Sequence, residues 1–408
     1  MKLRIGIVGL GYFSDDFIKL FRMHPDVEEV AVCDLLPERV QASMAKHKLT
    51  KSFASYEEML KDKSLNCIGV FTQRHLHAKM VLDALDAGKH VYSAVPIACT
   101  VEEIAGILEK VKEKHLIYMM GETCYYYPCA IYCREQYRKG GFGEFVYAET
   151  QYYHDICEMY GAFRHSGGEH WQRDAGIPPM FYPTHSISMV FSAINQYATK
   201  VSCMGLDDRV SPKNSDNIYG VGKNNWDNPF SNETAIFRMS GGGVVRCNEF
   251  RRVGINKPSS YITAFYGDEG SYECSVTKHT FQRGEASGKA TLEDVGGLVN
   301  TIRYNNELSG DGLTAPANSV RYIEGYAKIQ NRERLPECYH DLLPASHYNT
   351  HPFLVDDFCK AVVNDTLPPC NAWEAARWMI PGLIAHESAL RGGELMDIPD
   401  FGDAPEWH

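Results

Sequence analysis

The sequence predicts an α/β chain in two parts: a doubly wound parallel sheet over residues 1–122, then an α+β region over 123–408 built on a large, mostly antiparallel sheet. Three observations predict it. Over the first 120 residues short apolar runs alternate with longer amphipathic stretches, as parallel strands joined by helices require. From about Tyr147 the texture changes to alternating apolar and polar runs, separated by Gly and Asn turns. Helical periodicity returns near the C-terminus.

The expected strands of the first part are Arg4 to Val8, Val30 to Cys33, Cys67 to Phe71, His90 to Ser93 and Leu116 to Met119. Helical patterns lie between them at Asp15 to Met23, Pro37 to Ala45, Tyr56 to Leu60, His77 to Ala87 and Val101 to Lys114. In the second part FVYAETQYY, ETAIFRMS, GVVRCNEF and SYITAFYG read as strands. The closing helices, within about 351–393, are His351 to Val363 and Ala372 to Leu390, the second with Asn371 as N-cap. Leu206 to Asn228 and Gly284 to Ala317 read as long surface loops.

A chain of 408 residues buries more than one core, which excludes a single small binding module. Its formal net charge of −11 repels phosphate backbones and anionic lipid, so neither nucleic acid nor a membrane is an expected partner. The opening MKLRIGIVGLGYF reads as a strand rather than a signal peptide, because Gly6, Gly9 and Gly11 interrupt the apolar run. No other apolar stretch approaches the roughly 20 residues of a membrane span. Thirteen scattered cysteines without a CxxC pair fit a reduced, cytoplasmic protein. Cys129 and Cys133 lie one helical turn apart, a spacing that buried cysteines also adopt.

Gly9, Gly11 and Ser14 form G-x-G-x-x-S between an apolar strand and an amphipathic helix. In that context the first glycine permits the tight turn, the second lets pyrophosphate approach the backbone, and the helix start supplies amide donors. Gly9, Leu10, Gly11, Tyr12 and Phe13 are therefore expected to hold a dinucleotide. Asp34 ends the second strand, where a carboxylate accepts from ribose hydroxyls and repels a 2′-phosphate, favouring NAD over NADP. The alternative is an ordinary strand-to-helix turn with Asp34 as a solvated loop residue.

The run Gly69-Val-Phe-Thr72-Gln-Arg-His-Leu-His77, followed by Asp86-Ala-Gly88-Lys-His-Val-Tyr-Ser-Ala94-Val95-Pro96, resembles the glucose-fructose oxidoreductase, inositol dehydrogenase and MocA (Gfo/Idh/MocA) family. The resemblance extends through Gly140-Gly-Phe-Gly-Glu144, His185 and the closing helices. It implies a Rossmann domain, an open-faced sheet domain, an active site between them, and a homodimer or homotetramer. It also implies cofactor contacts from Thr72, His77, Ala94, Val95 and Glu122. Two departures stand out. The family's Glu-Lys-Pro motif is Ala94-Val95-Pro96 here, which removes a cation able to stabilise an alkoxide. Of the family's Asp and His four apart, His185 is present but Phe181 stands in place of the aspartate.

The segment Tyr182-Pro-Thr-His185 is similar to one in the NAD-dependent α-N-acetylgalactosaminidases, a branch that also lacks the lysine. That branch borrows and returns a hydride while cleaving a glycoside. His185 is the expected base, because imidazole can take and return a proton near neutral pH, and Tyr182 the expected donor beside it. The other readings are a helix-start histidine satisfied by backbone and a packing tyrosine. Tyr126, His154, Trp171 and Arg173 are expected to meet a carbohydrate, given the density of aromatic and hydrogen-bonding groups from Tyr152 to Trp171. No metal is expected, since no pair there has His-x-x-x-His spacing. For Tyr126 the alternative is packing within the run Tyr125 to Tyr127. Three functions follow. The first is an NAD-dependent oxidoreductase acting on a sugar or polyol carbinol, the second a redox-neutral glycosidase. The third, a non-catalytic NAD-bound sensor, predicts loss of His185, which remains.

Overall fold

Five parallel strands, β1 (Leu3–Val8), β2 (Val27–Cys33), β3 (Cys67–Val70), β4 (His90–Ser93) and β5 (Tyr118–Met120), pair in the order β2-β1-β3-β4-β5. This computed structural model describes residues 2–208, 218–253, 259–275, 278–284, 290–299, 302–305, 319–322, 325–342 and 347–407. All four residues of β3 are buried, as in a sheet covered on both faces. The connecting helices are α1 (Tyr12–Met23), α2 (Pro37–His47), α3 (Tyr56–Lys61), α4 (His77–Asp86) and α5 (Val101–Lys114). The first begins three residues before the expected Asp15, because Gly11 serves as its N-cap. A reciprocal capping box between Thr100 and Glu103 starts α5.

After α6 (Pro128–Arg138) comes β6 (Phe145–Tyr153), then α7 (Tyr160–Gly167), α8 (Trp171–Ala175) and α9 (Thr184–Ile194). Seven strands follow: β7 (Ala198–Asp207), β8 (Phe230–Met239), β9 (Val244–Phe250), β10 (Ser259–Gly267), β11 (Gly270–Cys274), β12 (His279–Gly284) and β13 (Ala290–Asp294). With β6 and the short C-terminal β16 (Met396–Asp397) they make nine strands in the order β13-β12-β11-β10-β6-β9-β8-β7-β16. Every pairing is antiparallel except β6 with β9. A helical turn, α10 (Gly296–Val299), precedes a separate antiparallel pair, β14 (Ile302–Asn305) and β15 (Ser319–Tyr322). Helix α9 lies against β6 and β10 and presents almost only buried side chains.

The closing helices, α11 (His351–Asn364) and α12 (Ala372–Leu390), return to the first sheet as well as serving the second. Phe358 of α11 meets Phe21 and Tyr92 edge to face. Buried Asp356 accepts from Arg334 at 3.1 Å and Lys360 at 2.7 Å and lies 3.3 Å from His24. Asn371 caps α12 by accepting from the amides of Trp373 and Glu374.

The two expected loops are partly ordinary structure. Leu206 and Asp207 extend β7, where they pair with β8. Asn224 is buried and ties Ile218 and Asn228 together through side-chain hydrogen bonds. Polar composition hid this, because the asparagines there satisfy backbone groups rather than meet water. In the second loop Ala290–Asp294 and Gly296–Val299 are regular elements. Residues 209–217, 285–289 and 306–318 lie outside the described residues. Among the described residues no helix is long and apolar enough to cross a membrane.

Candidate active site

The C-terminal ends of the parallel strands form the first half of the site. Gly9 sits at φ +90°, and a Cβ there would come within 2.6 Å of the Phe71 carbonyl. Only glycine lets β1 and β3 turn this close together. At Gly11 a Cβ would meet nothing within 4 Å, and no side chain caps the amides that open α1. An open backbone cradle at a helix start fits a pyrophosphate. Asp34 accepts from the amides of Leu10 at 2.7 Å and Leu36 at 2.9 Å, so it fixes the glycine loop. Tyr12 and Leu35 project almost fully into solvent on either side of this cradle.

His77 has a different place from the one expected. Its ring nitrogens lie 2.8 Å from the Pro96 carbonyl and 3.1 Å from that of Thr72, and the residue is buried. Burial holds the imidazole below the ordinary histidine range. His77 is thus a tie between the loops after β3 and β4 rather than a surface for a cofactor. Thr72 is half-buried, with its hydroxyl on Met80, while the side chains of Ala94 and Val95 are buried.

Glu122, at the end of β5, is fully buried and aimed across the crevice. Its Oε1 accepts from the Cys124 amide at 2.8 Å and lies 2.7 Å from His185 Nδ1 in the first turn of α9. A carboxylate at that distance selects the tautomer with the proton on Nδ1 and leaves the lone pair on Nε2. The His185 ring meets the rings of Tyr152 and Tyr182 edge to face, each at 5.0 Å. Burial raises the Tyr182 phenol above its usual range, with Arg74 opposing, so it keeps its proton and can donate.

A small cavity of about 60 Å³ opens beside these tyrosines, lined among others by Arg74, His154, Phe163 and Arg251. His154 bonds the Tyr152 hydroxyl through Nδ1 at 2.8 Å. Arg251 lies over the Tyr152 ring and donates to Glu249, whose carboxyl is pushed up to about 8 by burial.

Residues 3–122 match the family model described as oxidoreductase family, NAD-binding Rossmann fold. An alpha-N-acetylgalactosaminidase of Shewanella oneidensis is 27% identical over 207 residues, 47% of this chain and 44% of that protein. A trans-1,2-dihydrobenzene-1,2-diol dehydrogenase of Bos taurus is 28% identical over 207 residues, 50% of this chain and 60% of that protein. The chain therefore matches about half the length of these relatives. The structure of a levoglucosan dehydrogenase with NADH and levoglucosan shares the fold at TM-score 0.70 and 16% identity, covering 98% of this chain and 100% of that one. Residues 3–122 thus form an NAD-binding Rossmann domain of the Gfo/Idh/MocA type.

Phe181 brings no carboxylate to His185, and the carboxylate that stands beside its ring is that of Glu122. Glu122, expected among the cofactor contacts, has its Oε1 committed to His185 and Cys124. Phe181 instead packs on His386, itself paired with buried Glu233 at 2.8 Å. Tyr126, expected at the carbohydrate, is buried away from the cavity: its hydroxyl bonds Asp357 and its ring stacks on Phe353. Trp171 belongs to a small apolar cluster with Tyr160, Ala175 and Tyr219 behind the cavity, because burial of its ring outweighs exposure to a ligand. Arg173 is exposed on α8 and does not line the cavity.

Among the described residues one group has metal-like geometry, Glu122, Cys124 and His185, with ligand atoms within 4.8 Å of one another. Burial and the Glu122 charge push the Cys124 thiol well above its ordinary range. Sequence reading missed four residues. Arg74 and Arg251 line the cavity. His351 bonds Asp16 at 2.6 Å, and His347 stands beside it and Phe13 near the glycine loop. Arg74 alone lies inside the run from Gly69 to His77 that carries the family resemblance.

Proposed function

We propose that this protein is an NAD-dependent enzyme that oxidises a sugar or polyol carbinol, with His185 as the base and Glu122 as the residue that orients it. The observation that carries this is the 2.7 Å contact between Glu122 and His185 at the C-terminal edge of the parallel sheet. The open cradle at Gly11 and the clamp of Asp34 on the loop fit NAD, and the Asp34 carboxylate disfavours a 2′-phosphate. Bound NAD supplies a hydride acceptor.

His185 Nε2 takes the hydroxyl proton, and Glu122 stabilises the imidazolium that results. Tyr182 donates to the same oxygen. Tyr152 and Tyr182 offer aromatic faces to the ring, and His154 an edge for a hydroxyl. Exposed apolar side chains on the nine-stranded sheet, Val146, Met204 and Ile236, are consistent with a homo-oligomer.

A second reading is favoured by Val95 in place of a lysine and by the Tyr182 to His185 run. It is a redox-neutral glycosidase in which the carbinol is oxidised only for the length of the cycle. A panel of sugars and nitrophenyl glycosides, followed at once for NADH absorbance and nitrophenol, tests both. NADH accumulating with a free sugar supports the dehydrogenase, nitrophenol without net NADH supports the glycosidase, and neither product from any member counts against the proposal.

A further inference from the structure

The cavity beside the Glu122 and His185 pair carries charge opposite to that of the whole chain. Arg74 and Arg251 line it and, among the described residues, no aspartate or glutamate does, in a protein of formal net charge −11. A low-dielectric recess lined by one sign of charge concentrates ligands of the other sign.

The two guanidinium groups differ. Arg251 is buried and donates to Glu249 at 2.8 Å and to the Pro179 carbonyl at 3.3 Å, so its N–H groups are committed inside the protein. Arg74 is half-buried in the short 3-10 turn after β3, the turn whose far end His77 anchors. Its guanidinium carbon lies 4.6 Å from the centre of the Tyr182 ring and 5.9 Å from that of Phe163. Aromatic faces stabilise the cation without using its N–H groups as hydrogen-bond donors. Among the described residues no carboxylate or carbonyl accepts from it.

We propose that this cavity binds a sugar bearing a carboxylate, and that Arg74 is the residue that recognises it. The inference rests on the reading above, that a sugar carbinol is presented to His185, and names the class of that sugar. Tyr182 bridges the two roles, with Arg74 over its face and His185 at 5.0 Å. A carboxylate fits better than a phosphate ester. One uncommitted cation matches a monoanion, and the planar fork of arginine matches a planar carboxylate. A dianion would call on a second guanidinium, and the N–H groups of Arg251 are already spent on Glu249 and backbone carbonyls.

Calorimetric titration of the NAD-loaded enzyme tests this without turnover. The probes are D-glucuronate against D-glucose, D-galacturonate against D-galactose, and D-glucose 6-phosphate. At least one uronate is expected to bind about tenfold or more tightly than its neutral partner, as a charge-assisted pair provides. R74Q should abolish that preference while leaving NAD affinity and neutral-sugar affinity unchanged, and R74K should keep part of it. The inference is overturned if no uronate is preferred, including the case where none binds, or if the preference survives R74Q. It is also overturned if the phosphate binds tightest, or if R74Q weakens NAD as much as the uronate. H185A separates this from the reading beneath it. A uronate preference intact in H185A, with turnover also intact, sinks the catalytic reading alone; turnover lost in H185A on a neutral sugar, with no uronate preferred, sinks this inference alone.

Discussion

Glu122 Oε1 stands 2.7 Å from His185 Nδ1 although 63 residues separate them, one at the end of a parallel strand and the other in the first turn of a helix on the opposite side of the crevice. The pair is assembled only when the two sheets come together. It gives the imidazole a fixed tautomer and a counter-charge, which a general base requires.

Replacing either member should therefore cost the same step. E122Q and H185A are each expected to lower turnover by about 10²–10⁴-fold, and the double variant to be little worse than either alone. NAD affinity, measured by calorimetry, should change little in H185A. Additive losses in the double variant would mean the two residues act separately.

The two fingerprint glycines should fail in different ways. Gly9→Ala places a Cβ 2.6 Å from the Phe71 carbonyl at φ +90° and should destabilise the fold by about 1–3 kcal/mol, read as a fall in Tm. Gly11→Ala meets no protein atom within 4 Å, so Tm should hold while NAD affinity drops. Equal NAD binding in Gly11→Ala would show that the cradle is not the pyrophosphate site.

Buried His279 receives the Tyr272 hydroxyl at 2.7 Å, and burial lowers its pKa to about 4. The unfolded chain, with its ordinary histidine near 6.5, binds the proton more readily. The resulting stability is present above about pH 6.5 and is lost as pH falls toward 4, by about 3 kcal/mol at most. Urea midpoints at pH 7 and pH 4.5 measure the loss, and H279Q should flatten that part of the profile. An unchanged slope in H279Q would assign the acid sensitivity elsewhere.

Asp356 accepts from Arg334 and Lys360 and faces His24 of the first sheet's helical layer from inside α11. Asp356→Ala removes one acceptor from each donor, while Arg334 keeps Asp357 and Lys360 keeps the Arg334 carbonyl, and should destabilise the protein by about 1–3 kcal/mol in urea unfolding. A loss below 1 kcal/mol would mean that the network behaves as a solvated surface cluster.

Much of the architecture was legible locally. FVYAETQYY is β6 from first residue to last, and Ala372 to Leu390 with its Asn371 cap is α12 as expected. Periodicity and caps are properties of neighbouring residues, so they survive in the linear chain. The polar segment around Asn224 misled for the converse reason: its asparagines are spent on buried backbone groups, and composition alone cannot tell a carbonyl partner from water.

The sequence by itself determined the order of strands and helices and the glycine turn that fits a dinucleotide, and it singled out His185 as the expected base. Only the tertiary structure decided that Glu122 is that partner, that His77 ties two loops, that Tyr126 is packed away, and that Arg74 looks into the cavity with no acceptor among the described residues. The first set depends on steric and hydrophobic rules acting within a few residues. The second depends on which side chains remain unpaired once distant segments are packed, and desolvation makes each such pairing a property of the whole fold.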